Sequence, residues 1–259
     1  MDIKWQALIL TVLILLSLTL TRLGDNIEKS EQALIAAATT PAPQFFTFQR
    51  ATLVEYQPVQ KVPMRKWDVQ DPNITAHAAL VHSLEDNIPL FRSNTHESWS
   101  LASLTKLLTA VVVLEDIGIN KKIPISKEVI ATEGEAGNLT SGEVYTARDL
   151  LKIMLLTSSN DAAAAFEEYL GGKETFVRIL TDKTFKLGMT ETVLEDGSGL
   201  SDMNKSTASD LLVLVKYILS RYPELFTWTR ITELLVQPIN DVTVRNIYNI
   251  NTLVDRRDF

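Results

Sequence analysis

Cysteine is absent from the 259 residues. That excludes disulfide scaffolds, thiolate zinc sites and cysteine nucleophiles, and it leaves an oxidising compartment open. Histidine is scarce: His77, His82 and His96 do not fall at the i, i+4 spacing that puts two ligands on one helix face, and no H-E-x-x-H occurs. Neither a metal centre nor a cofactor is expected. A positive balance is missing too. With 25 Lys and Arg against 32 Asp and Glu, the net charge of −7 has the wrong sign for a nucleic-acid partner held through its phosphates. No repeat at solenoid period and no low-complexity stretch is visible. What remains, 46% apolar and 22% charged, is the composition of a globular protein.

Charge is also missing from one long run. Trp5 to Thr21 is 17 residues without an ionisable side chain, dense in Leu and Ile, and at ~1.5 Å per residue it reaches about the lower limit for crossing a bilayer. Residues 1–24 therefore read as a signal anchor or a signal peptide. Leu18-Thr19-Leu20 is a poor cleavage site and Ala36-Ala37-Ala38 lies well downstream, which favours the anchor. Lys4 on one side and Arg22 on the other hardly orient the segment. Residues 25–72 hold five of the nine prolines and mixed charges, the pattern of an extended spacer. The folded domain is expected over 73–259.

Within that domain Thr75–Leu84 and Ile88–Arg92, joined by Glu85-Asp86-Asn87, predict a hairpin. Leu104, Leu107, Leu108, Val111 and Val112 recur with helical period from about Ser103 to Gly118. Thr146 with Asp149 marks a capping box for a helix reaching about Thr157, and Asp161 opens an alanine-rich helix that stops at Gly171-Gly172. A further helix carries Phe176, Ile179 and Leu180 to Gly188. Thr207 with Asp210 caps another that Pro223 ends, and strand-like segments come after it.

Two short motifs carry chemistry. Ser103-Leu104-Thr105-Lys106 is the one Ser-x-x-Lys in the chain, placed where the striped helix begins. At i and i+3 the two side chains share a face about 5–6 Å apart at Cβ, close enough for an amine to take the serine proton once burial or a nearby cation lowers its pKa. A helix amino terminus favours the negative charge that develops. An ordinary surface pair has the same spacing, so context decides. Ser158-Ser159-Asn160 is the one Ser-x-Asn and lies in a break between two helices, where a loop can aim a hydroxyl and an amide into a cleft. Its plainer reading is that Asn160 caps the helix opening at Asp161.

With both motifs in this order, the sequence resembles the penicillin-binding, serine-type D-alanyl-D-alanine carboxypeptidases. Ala102–Ala110 is similar to the family's acylation site and its flanks, and Leu150–Ala163 to its second motif. Asp196-Gly197-Ser198-Gly199-Leu200 with Ser206–Asp210 is similar to the segment beyond; the likeness spans residues 75 to about 254. It implies Ser103 as acylated nucleophile, Lys106 as general base, Ser158 as proton relay to the leaving amine and Asn160 as a hydrogen-bonding partner of the substrate amide. It also implies an α/β (α+β) fold of the β-lactamase/transpeptidase type, a helical subdomain against an antiparallel sheet. Peptidoglycan stem peptides ending in D-Ala-D-Ala become the expected substrates, β-lactams the inhibitors, and the extracytoplasmic side of the cell membrane the location.

The family's third motif, Lys-Thr-Gly or Lys-Ser-Gly, does not occur, no glycine comes after Gly199, and Asn249–Val254 is similar to the segment that precedes that motif. The chain thus reads as truncated, its sheet short of the last three strands and the closing helix. Loss of one oxyanion donor costs about 2.7–4 kcal/mol. Loss of core weighs more against a net stability of ~5–15 kcal/mol: the hairpin is expected to keep an unpaired edge, and the stripes Leu104–Val112 and Leu150–Leu155 to lose the face they bury. Two further readings compete with a DD-carboxypeptidase or DD-endopeptidase. One is a non-catalytic, membrane-tethered wall-binding or interaction protein. The other, a class A β-lactamase, is disfavoured because Ser159 stands where those enzymes usually have Asp.

Overall fold

The computed structural model describes residues 3–38, 63–66, 68–134 and 136–254. Two compact units divide the chain, Met1–Lys61 and Val62–Phe259. In the first, α1 (Ile3–Ala38) is a 36-residue helix. It continues through the first part of the segment expected to be an extended spacer. That segment's first proline is Pro41, so nothing before Ala38 withholds a backbone N–H from the helix ladder. Residues 39–62, with Pro41, Pro43 and Pro58, lie outside the described residues. Among the described residues no helix is long and apolar enough to cross a membrane; the side chains of residues 1–10, where the charge-free run begins, are not among them.

The second unit opens on the expected hairpin, β1 (Ala79–Ser83) antiparallel to β2 (Ile88–Ser93), with a bulge between Val81 and His82. Asp86 N–H donates to Ser83 Oγ at 3.2 Å, and Asn87 takes φ 56°, a left-handed conformation that Asn tolerates better than most residues. Among the described residues no third strand joins this pair, and Val81 and Leu90 are left half exposed. Next come β3 (Trp99–Ser100), a 3₁₀ turn at Ala102–Leu104, α2 (Thr105–Val112) and one π turn at Val113–Ile117 closed by Gly118 at φ 88°. β4 (Lys122–Pro124), α3 (Lys127–Ile130) and β5 (Val144–Thr146) lead to the helices α4 (Ala147–Thr157), α5 (Asn160–Tyr169) and α6 (Lys173–Leu187). β6 (Lys205–Ser206), α7 (Ala208–Arg221), α8 (Glu224–Trp228), β7 (Glu233–Val236) and β8 (Arg245–Tyr248) complete the order. β3 pairs with β6, β4 with β5 and β7 with β8, all antiparallel.

Side-chain oxygens start α4, α5 and α7. Thr146, Ser159 and Thr207 accept the N–H groups of Asp149, Ala162 and Asp210, three residues on, which satisfies donors that have no partner inside the helix. Gly188, left-handed at φ 82°, closes α6. The core lies among α2, α4, α5 and α6, with Val111, Leu150, Leu151, Met154, Phe166, Phe176 and Leu180 wholly buried, each such side chain contributing about 1.5–3 kcal/mol. The expected stripping of the two helix stripes is thereby corrected: Leu108, Val111, Val112, Leu150 and Leu151 are covered, because α2 and α4 pack on each other and α6 closes over α2. Of those stripes Leu104 alone, at 50% exposure, is open to solvent.

Candidate active site

The 3₁₀ turn aims the first motif. Ala102 sits at φ 45°, an unfavourable left-handed setting for a residue with a Cβ. It is held there from both sides: Leu101 N–H donates to Asn204 O at 2.8 Å, and Gly199 approaches so closely that a Cβ on it would lie 1.8 Å from the Ala102 carbonyl oxygen. One turn later Lys106 reaches back, with Nζ 3.1 Å from Ser103 Oγ.

The break between α4 and α5 supplies the second motif. Ser158 is left-handed, φ 59° and ψ 33°, so the chain reverses there. Its Oγ then stands 2.7 Å from Ser103 Oγ. Ser159, fully buried, caps α5 by accepting the Ala162 N–H at 3.1 Å. The capping role offered to Asn160 is therefore taken by its neighbour, and the Asn160 amide turns to Lys106 instead. Its Oδ1 accepts from Lys106 Nζ at 2.8 Å while its Nδ2 donates to the Glu133 carbonyl at 2.9 Å. Lys106 and Ser158 meet at the Ser103 hydroxyl, and Asn160 joins them through Lys106.

Lys106 is 3% exposed. Burial brings its ammonium down to about 8, against a partial upward pull from the charge of Asp196. An amine that gives up its proton near neutrality is what a base for serine needs. Its third contact is the Ser198 carbonyl, 2.7 Å away. A cleft of about 360 Å³ opens over Ser103, Lys106 and Ser158, walled by Leu104, Leu107, Met154 and Leu155. A larger hollow of about 620 Å³ beside Gly118 and Tyr222 contains neither motif. Among the described residues no group of His, Asp and Glu is placed to hold a metal ion.

Several residues of the site carry no mark in the two motifs. Asp196 accepts the N–H groups of Ser198, Gly199 and Ser201 at 2.8, 2.5 and 2.7 Å. Burial alone would raise its carboxyl, but these donors and the Ser198 hydroxyl outweigh that and hold it below the usual range. Asn204, with no exposed surface, donates to Thr105 Oγ1 and to the Asp196 carbonyl. The signal that was present is Asp196-Gly197-Ser198-Gly199, a compact loop sequence whose function shows only when it is folded against α2.

Residues 65–258 match the profile of the D-alanyl-D-alanine carboxypeptidase family. The chain belongs to that family. A D-alanyl-D-alanine endopeptidase of Pseudomonas aeruginosa is 31% identical over 219 residues, 82% of this chain and 68% of the relative. A D-alanyl-D-alanine carboxypeptidase of Bacillus subtilis is 26% identical over 68% of this chain and 46% of its own length. This D-alanyl-D-alanine carboxypeptidase family member thus spans two thirds of one curated relative and about half of others. Among solved structures it is similar to a D-alanyl-D-alanine carboxypeptidase of Mycobacterium tuberculosis, with TM-score 0.67, 28% identity and coverage of 73% of this chain and 72% of that one. The Streptomyces K15 DD-transpeptidase shares the fold at TM-score 0.64 and 22% identity, over 71% of this chain and 78% of that one. The α+β fold of the penicillin-binding type is therefore that of this chain.

Proposed function

We propose that this chain acts as a serine DD-carboxypeptidase or DD-endopeptidase on peptidoglycan stem peptides ending in D-Ala-D-Ala, through an acyl-enzyme on Ser103. The supporting observation is that Ser103 Oγ lies within hydrogen-bond distance of both Lys106 Nζ, at 3.1 Å, and Ser158 Oγ, at 2.7 Å. Neutral Lys106 takes the serine proton as Oγ attacks the carbonyl carbon between the two D-alanines. Ser158, touching the same oxygen, carries a proton on to the departing amine, and Asn160 offers its amide to the substrate backbone. β-Lactams present a strained amide to the same hydroxyl and act as inhibitors. The charge-free run at residues 5–21 supports a tether that holds the domain on the extracytoplasmic face of the cell membrane.

A fluorescent penicillin tests this directly. The label is expected on the wild-type chain and absent from Ser103→Ala; equal labelling of both removes the assignment. The same labelled band, tracked through carbonate extraction of cells producing the full chain, is expected in the membrane pellet. Recovery in the supernatant removes the tether.

A further inference from the structure

The loop Asp196–Ser201 touches the site, yet acylation by Ser103, Lys106 and Ser158 gives it nothing to do. Its geometry assigns it a part. An ammonium has three N–H donors, and Lys106 has three acceptors around it: Ser103 Oγ at 3.1 Å, Asn160 Oδ1 at 2.8 Å and the Ser198 carbonyl at 2.7 Å. The neutral amine keeps two N–H groups and one lone pair. A carbonyl and an amide oxygen can only accept, so both N–H groups go to them and the lone pair is left facing the one group that can donate, the Ser103 hydroxyl. Base catalysis therefore depends on where the Ser198 carbonyl stands.

Asp196 fixes that position. Its Oδ1 gathers the Ser198 and Gly199 N–H groups and the Ser198 hydroxyl, and its Oδ2 takes the Ser201 N–H. Gly197 is pinned as well, its carbonyl accepting from Thr109 Oγ1 of α2 at 2.6 Å and its N–H donating to Glu167 Oε1 of α5 at 2.6 Å. We propose that Asp196 is a positioning residue for acylation, holding the Ser198 carbonyl on Lys106 so that the free amine presents its lone pair to Ser103. The proposal rests on Ser103 being the nucleophile. In the step itself the Oγ–H proton passes to Lys106 Nζ as Oγ bonds to the acyl carbon, and the resulting ammonium spreads its three N–H groups over the three acceptors seen here.

Asp196 also carries the negative charge that acts on Lys106. The other groups around the lysine, Ser103 from its own turn and Asn160 from α5, are neutral. Glu167, raised by its burial, stands behind Gly197 and interacts with Asp196. Removing the Asp196 charge therefore makes the amine easier to deprotonate, while slackening the loop makes its lone pair less well aimed.

The test is a titration of the full chain labelled with ε-¹³C lysine, with the Lys106 signal identified by its loss in Lys106→Arg. In Asp196→Asn the Lys106 midpoint is expected to fall by about one pH unit. The acid limb of penicillin acylation should move down with it, and the plateau rate should drop tenfold or more. A variant that labels slowly at every pH with an unmoved lysine midpoint reduces Asp196 to a structural part and overturns the proposal. Should Asp196→Asn not fold, Lys106→Met supplies the reciprocal reading: the Asp196 carboxyl is expected to titrate higher than in the wild type, and an unchanged carboxyl overturns the pairing. The lysine titration needs no activity. If penicillin fails to label Ser103, the functional reading falls by itself; if it labels while the midpoint is fixed, only the role of Asp196 falls.

Discussion

Gly199 and Gly142 both adopt positive φ, +81° and +90°, yet their surroundings differ completely. A Cβ on Gly199 would meet the Ala102 carbonyl at 1.8 Å, whereas one on Gly142 has nothing within 4 Å. Gly142→Ala is expected to cost only conformational strain, on the order of 1 kcal/mol. Gly199→Ala must move the backbone that carries Ser103. It should lower thermal stability several-fold more and abolish penicillin labelling; equal melting shifts for the two would show that the contact with Ala102 is slack. The contrast also explains what could be read beforehand at this scale. Ser103, Lys106, Ser158 and Asn160 come together through side chains whose spacing is written in the sequence. Ser198 meets Lys106 through a backbone carbonyl, which no letter marks, and Gly199 is legible as a glycine while the Ala102 carbonyl that requires it is not.

The helices with a full apolar period and a cap were legible to within a residue or two. Thr146, Thr207 and Gly188 end or begin elements where the spacing predicts. α3, α8 and the strands β3 to β6 were not, because two to five residues are too few to show a period and their pairing partners are remote in sequence, as with Trp99 and Ser206. The two capping boxes also turn out unequal. Thr146 Oγ1 donates to Asp149 Oδ2 within the box, whereas Asp210 Oδ2, buried, reaches outward to Glu191 N–H and Thr192 Oγ1. Thr146→Ala and Thr207→Ala are each expected to cost about 1 kcal/mol in denaturant unfolding. Asp210→Ala should cost more than Asp149→Ala, since it also takes the acceptor from the part-buried Glu191 N–H and Thr192 hydroxyl. Equal losses for the two aspartates would mean that the tie to Glu191 contributes nothing.

At the scale of the whole domain, ion pairs tie segments far apart in the chain, Lys183 to Glu115 and Arg245 to Glu143 among them. Arg245 of β8 donates to Glu143 and to the Asn138 carbonyl, and its Nη2 reaches Thr140 Oγ1 at 3.0 Å. Glu143, almost fully buried, also accepts from Tyr145 OH and from the Thr140 N–H. No sequence pattern couples residues a hundred positions apart, which is why this link was not foreseen. Arg245→Ala leaves a buried carboxylate without its cation and is expected to cost about 3 kcal/mol in chemical unfolding, and adding Glu143→Met should not restore it, because the buried Tyr145 hydroxyl and the Thr140 N–H then lose their acceptor. A single substitution that costs nothing would place the pair in solvent. The joint between α4 and α5 has a further consequence. Only Ser158 and Ser159 separate two rigid rods, and their left-handed and extended backbones set the direction in which α5 leaves α4. An inserted or deleted amino acid there would swing the Asn160 amide away from Lys106, so this corner of the protein tolerates exchange of letters far better than any change in their number.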